Sequence, residues 1–124
     1  MKIEEVKKEF EKGGSEIILK VPISEHGTFD IWGAITIRKF DGQPLSWEDC
    51  CSNQTQIRMH SFASGSALPH PYPKIYRIDN CNKEFGLHEH LPGSNHISIN
   101  PKTVGDALQI FFDKSNNESL GSVV

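Results

Sequence analysis

Apolar residues at Ile3, Val6 and Phe10 recur at i, i+3 and i+7, which predicts one buried face of a short amphipathic helix. Gly13-Gly14 ends it, since glycine enters the left-handed conformation at little steric cost. The pattern then changes to strand periodicity. Glu16 to Val21 reads as a short strand rich in Ile and Val and closed by Pro22. Thr28 to Phe40 is the longest strand expected, with Phe29, Ile31, Gly33, Ile35 and Ile37 on one face and Asp30, Trp32, Thr36 and Arg38 on the other. Asp41-Gly42-Gln43-Pro44 signals a turn, and Ser46 is placed to cap a helical turn with Glu48 and Asp49 near its N-terminus.

Gln54 to Phe62 alternates around Ile57 and Met59, which sends Arg58 and His60 to the second face. Residues 63–73 carry three prolines and small polar residues, the composition of a loop, with His70 inside it. Strands are expected at Lys74–Asn80 and Glu84–Leu91. Cys81-Asn82-Lys83 between them is hairpin-sized, so they should be antiparallel neighbours. After the turn Pro92-Gly93-Ser94-Asn95, His96 to Ile99 can form a short edge strand. Asn100-Pro101 reads as an N-cap followed by proline at the first helical position. Val104, Ala107, Leu108, Phe111 and Phe112 then form a broad apolar stripe that must pack on a sheet.

The expected architecture is α+β, an antiparallel sheet of about five to six strands with an N-terminal and a C-terminal helix packed on one face. Residues 1–124 form a single domain: a helix at 1–14, the sheet at 15–99, a helix at 100–114 and a flexible tail at 115–124. Composition narrows the classes. Apolar residues are 36% and charged residues 23%, and no run approaches the roughly 18 apolar residues of a membrane span. The charged N-terminus lacks the apolar core of a signal peptide, so the expected compartment is the cytoplasm, with no membrane partner. Three cysteines, two of them adjacent at Cys50 and Cys51, fit reduced thiols there. A net charge of −3 argues against a surface that grips duplex DNA, while leaving room for a local basic patch that contacts RNA.

Candidate chemistry concentrates between Tyr76 and His96. In His88-Glu89-His90 the strand period of two puts both imidazoles on one face and Glu89 on the other, with Leu87 and Leu91. Such a pair can serve as acid and base in phosphodiester chemistry, because imidazole titrates near neutral pH. It can equally hold a divalent metal with His96 or an acid as third ligand. An exposed polar strand face with no chemistry is the plain alternative. On the preceding strand Arg77 and Asp79 share a face, where a guanidinium can fork onto phosphate and a carboxylate can orient an imidazole or ligate a metal. A merely structural Arg–Asp pair is the competing reading. Arg58, His60 and Asn80 are secondary candidates for substrate contact. No phosphate-binding loop, dinucleotide fingerprint or nucleophile elbow is present.

Arg77-x-Asp79-Asn80 at a strand end, His88-x-His90 about eight residues later and a closing amphipathic helix at 101–113 together resemble the C-terminal half of the TumE-type toxins of bacterial toxin–antitoxin pairs. The resemblance spans residues 74–113. It implies a compact α+β toxin with an antitoxin protein as partner and RNA or translation as target. The matching positions are Arg77, Asp79, Asn80, His88 and His90. On this reading the protein is a metal-independent ribonuclease needing no cofactor, with His88 and His90 as acid and base, Arg77 as phosphate binder and Asp79 as orienter. Two other classes stay open: a non-enzymatic binding or inhibitor module from a phage or mobile element, and a metal-dependent enzyme using His88, His90 and His96.

Overall fold

A computed structural model describes residues 3–51, 54–68, 74–80, 86–91 and 95–123, with residues 91, 95, 96 and 117–123 described as backbone only. The elements run α1 (Ile3–Phe10), β1 (Glu16–Glu25), β2 (Asp30–Lys39), β3 (Thr55–Ser64), β4 (Lys74–Asp79), β5 (His88–Leu91), β6 (Asn95–Ser98) and α2 (Val104–Val123). The six strands form one antiparallel meander in the order β1-β2-β3-β4-β5-β6. The expected α+β class and sheet are therefore present, with each strand beside its sequence neighbour. His70 and the Cys81-Asn82-Lys83 link lie outside the described residues. Among the described residues, no helix is long and apolar enough to cross a membrane.

The alternation read from the sequence becomes two faces. Register aligns Ile17, Ile37 and Ile57, and next to them Leu19, Ile35, Met59 and Ile78, on the side covered by helix. Against these, α2 lays Val104, Ala107, Leu108, Phe111 and Phe112, all buried. α1 contacts α2 and adds Val6 and Phe10 to the same core. A side chain on Gly33 would meet Phe111 and Ile23 at about contact-breaking range, so a bare backbone mid-strand is what lets the Phe111 ring settle on the sheet. At roughly 25 cal/mol per Å2 of apolar area, this two-layer packing supplies most of the driving force for the fold.

Element ends differ from the sequence pattern in three places, each for a physical reason. β1 does not close at Pro22 but runs on to Glu25 with a register shift between Pro22 and Ser24. It is an edge strand, where a missing N–H costs no ladder bond. Helix α2 is capped by Thr103, whose hydroxyl accepts the Asp106 amide at 3.1 Å, so Asn100 is not the cap. Two amides of its first turn, those of Val104 and Gly105, donate to the carbonyls of Asp49 and Trp47 at 2.8 and 2.9 Å. The helix also continues to Val123, beyond the end expected near residue 114. Ser115 lies fully buried and its hydroxyl donates to that of Ser61 at 2.8 Å, so a polar residue extends the packed stripe. Ser46 marks a tight turn, the Asp49 amide donating to its carbonyl at 3.1 Å, within a segment that supports α2.

Candidate active site around Asp79

On the face away from the helices, register sets two parallel rows across the strands. One row runs Ile18, Thr36, Arg58, Asp79, His88, Ser98. The other runs Lys20, Ala34, His60, Arg77, His90, His96. With strands about 4.8 Å apart, a six-strand row is roughly 24 Å long. The pairs Arg77/Asp79 and His88/His90, each placed on one face of its own strand by periodicity, are brought by register to one face and directly opposed, Asp79 to His88 and Arg77 to His90.

Their side chains converge on one carboxylate. Asp79 is 1% exposed although it sits on the face that carries no helix. Arg77 Nε donates to its Oδ2 at 2.8 Å, His90 Nε2 lies 3.0 Å from Oδ2, and His88 Nε2 lies 3.3 Å from Oδ1. The two imidazoles are 4.7 Å apart, centroid to centroid. Burial divides their roles. His88 is 1% exposed, whereas the side chains of Arg77 and His90 are 42% and 25% exposed. A buried carboxylate is costly without compensating charge, and here the compensation comes from three basic side chains.

His88 is fixed from its other side as well. Its Nδ1 lies 3.0 Å from the Gly86 carbonyl. A carbonyl only accepts, so Nδ1 carries the hydrogen and Nε2 is the atom turned to Asp79. Gly86 has φ +59, a left-handed turn that glycine adopts without strain. That turn places the carbonyl under the ring.

The secondary candidates divide. Arg58 and His60 lie on the neighbouring strand in the same two rows, Arg58 opposite Asp79 and His60 opposite Arg77. Asn80 does not face them: its Oδ1 accepts the Ile57 amide at 2.8 Å and its Nδ2 donates to the Thr55 carbonyl at 2.6 Å. It extends the strand pairing where the backbone ladder ends, a structural duty that occupies both ends of its amide. His96 stands opposite His90 in the register, and its side chain lies outside the described residues. The third member of the histidine cluster is Asp79: among the described residues, Asp79, His88 and His90 are the group able to hold a metal ion, their ligand atoms all within 4.8 Å of one another. Cys50 and Cys51 belong to no such group, and burial, followed by the charges of Cys50 and Asp106, pushes the Cys51 thiol up to about 12.

Two features carry more weight than the sequence pattern gave them. Burial first, and then the charges of Lys74, Arg77, Arg58 and Lys20, hold the His60 pKa below the ordinary histidine value, and those four cations make this part of the face electropositive within a chain of net charge −3. Alternation in β1 could have placed Lys20 there. The second is Glu89, which lies buried under α2, accepting the Tyr76 hydroxyl at 2.7 Å and meeting Lys114 Nζ at 3.4 Å. Its position opposite the two histidines follows from strand period, but its partners come from distant elements. Comparison with protein-family models, curated proteins and solved structures found no match to this chain.

Proposed function

We propose that the protein is a toxin-like ribonuclease, the RNA-directed member of a pair with an antitoxin protein, and that it works at the Asp79 cluster. The observation that carries this reading is the convergence of Arg77, His88 and His90 on one buried carboxylate, beside an electropositive row that contains Lys20, His60 and Arg77. A polyanion laid along that row meets Lys20, His60 and Arg77 in turn, with Arg58 on the row beside it. Arg77 spends its Nε on Asp79 and presents the rest of its exposed guanidinium fork, the geometry suited to a phosphate oxygen pair.

Burial assigns different work to the two histidines. His90 reaches the surface and can exchange a proton with a ribose hydroxyl or a leaving oxygen. His88 is sealed, with one ring nitrogen on the Gly86 carbonyl and the other on Asp79, so it acts on substrate only by holding Asp79 in place. The symmetrical acid–base pair expected from His-x-His thus becomes one substrate-facing imidazole backed by a positioning pair. Asp79 orients His90 and balances the positive charge it takes up.

A growth experiment tests the reading. Induced expression without a partner protein should arrest growth. His90→Gln and Arg77→Gln, both at part-exposed positions, should relieve the arrest at equal protein level. Harmless expression of the unaltered chain, or full toxicity in both variants, rejects it.

A further inference from the structure

Resting on the reading of this cluster as the reaction centre, we infer that Asp79, His88 and His90 form a binding site for one divalent transition-metal ion, of the zinc, manganese or cobalt class, with Arg77 as its charged neighbour. His88 Nε2 and Asp79 Oδ1 meet at 3.3 Å. Because Nδ1 is committed as donor to Gly86, Nε2 bears either a second proton or a lone pair aimed at the carboxylate. Two bare acceptors do not face one another in a site that is 1% exposed, so a cation belongs between them, a proton or a metal ion.

The spacing accommodates the ion. A charge-assisted N–H to carboxylate bond closes to about 2.7–2.9 Å. A tetrahedral ion with ligands at about 2.0–2.1 Å holds neighbouring ligand atoms about 3.3–3.4 Å apart. The His88–Asp79 separation is 3.3 Å, the second of these values. His90 Nε2 is 3.0 Å from Oδ2 and shielded from solvent, and its approach is a close ionic contact rather than a straight hydrogen bond. All three ligand-atom separations fall within 4.8 Å.

The surroundings of His88 are those of a ligand. Histidines that bind metal characteristically donate their other ring N–H to a carbonyl or carboxylate, which fixes the tautomer and raises the basicity of the ligating nitrogen. Gly86 supplies that carbonyl through its left-handed turn. Two imidazoles and one carboxylate are an intermediate donor set that suits zinc, manganese, iron or cobalt over calcium or magnesium, and three protein ligands leave a position open to water or a phosphate oxygen. When bound, the ion supplies Lewis acidity and charge neutralisation to a phosphoryl group, and His90 then serves as a ligand while its proton-transfer work passes to water. Arg77 opposes ion binding, since its guanidinium already holds Oδ2 at 2.8 Å. That opposition makes the site moderate in affinity and gives it a distinctive signature.

The test uses tag-free full-length protein stripped with chelator and titrated with Co2+ and Zn2+, read by ions per chain after gel filtration and by the visible absorption of bound cobalt. One ion per chain is expected. His90→Gln and Asp79→Asn should each weaken binding at least tenfold, His26→Gln, in the β1–β2 connection outside the cluster, should leave it unchanged, and Arg77→Gln should tighten it by removing the competing charge. His90→Gln guards against misfolding as an explanation, because that ring is part-exposed. Absence of saturable uptake, or uptake equal in the His90→Gln and unaltered chains, overturns the inference. RNA cleavage by a chain that takes up no ion in the titration upholds the ribonuclease reading and rejects the metal site. Site-specific ion binding by a protein that cuts no RNA upholds the metal site and rejects the ribonuclease.

Discussion

The two faces of this sheet are built from alternate residues of the same strands, yet they solve opposite problems. The face under α2 is apolar, from Ile17 through Ile35 and Ile57 to Ile78, and is closed by Phe111 and Leu108. The other face carries the charged rows and ends in a carboxylate as deeply buried as the isoleucines. Burial on the first face lowers free energy through the hydrophobic effect; burial of Asp79 raises it unless its three basic neighbours stay in place. Buried charged clusters of this kind are commonest at functional sites, which makes the Asp79 cluster and not the larger apolar layer the candidate for function.

Substitutions should separate the two faces. The largest loss is expected from Phe111→Ala, where removing the ring from the centre of the covered face should cost about 3–5 kcal/mol in urea or thermal unfolding and lower activity only in proportion to unfolded protein. Asp79→Asn should cost less, about 1–3 kcal/mol for a buried polar group whose partners are left poorly matched, yet abolish activity in the folded fraction. If the order is reversed, with Asp79→Asn active and strongly unfolded, the cluster is structural. Tyr76→Phe deletes the hydroxyl bound to Glu89 beneath α2 and should cost about 1 kcal/mol, with activity retained, since that contact belongs to the covered face.

The smallest effect concerns pH. His60 has its folded pKa below the ordinary value, by burial first and then by Lys74, Arg77, Arg58 and Lys20. As pH falls below about 6.5, the unfolded chain takes up this proton before the folded one does. The stability associated with neutral His60 is therefore intact above that pH and is lost progressively until the folded pKa is reached. His60→Gln should flatten this part of the stability–pH curve, as read by thermal unfolding from pH 7.5 to 5. An unchanged curve would mean that the face is less electropositive than its side chains imply.

Much of the covered face was legible in the sequence. Strict alternation at Ile31, Ile35, Ile37 and again at Ile57, Met59 identified the inward residues, and the Val104–Phe112 stripe required a sheet to pack on. That Arg77 shares a face with Asp79, and His88 with His90, was legible too, because strand period is fixed by geometry. Their meeting was not, since it depends on the register between β4 and β5, which period alone leaves open. The Gly86 carbonyl carries no side-chain signal, and nothing in the residue type of Asp79 announces that it is buried. Asn80 read as a site residue because its amide can contact substrate; the same amide completes the β3–β4 pairing, an equally good use that only the fold decides. Ser115 misled in the other direction, since its buried partner Ser61 lies 54 residues away.

The account stands most directly on whether the cluster cuts RNA. Purified protein incubated with an end-labelled, unstructured RNA, with and without added divalent metal, should yield discrete cleavage products. His90→Gln and Arg77→Gln should each slow that cleavage by at least about a hundredfold, within the usual range for losing an acid–base or charge-stabilising group, while unfolding at nearly the parental temperature. Intact RNA in every condition, or cleavage that both variants perform at the parental rate, would contradict the account.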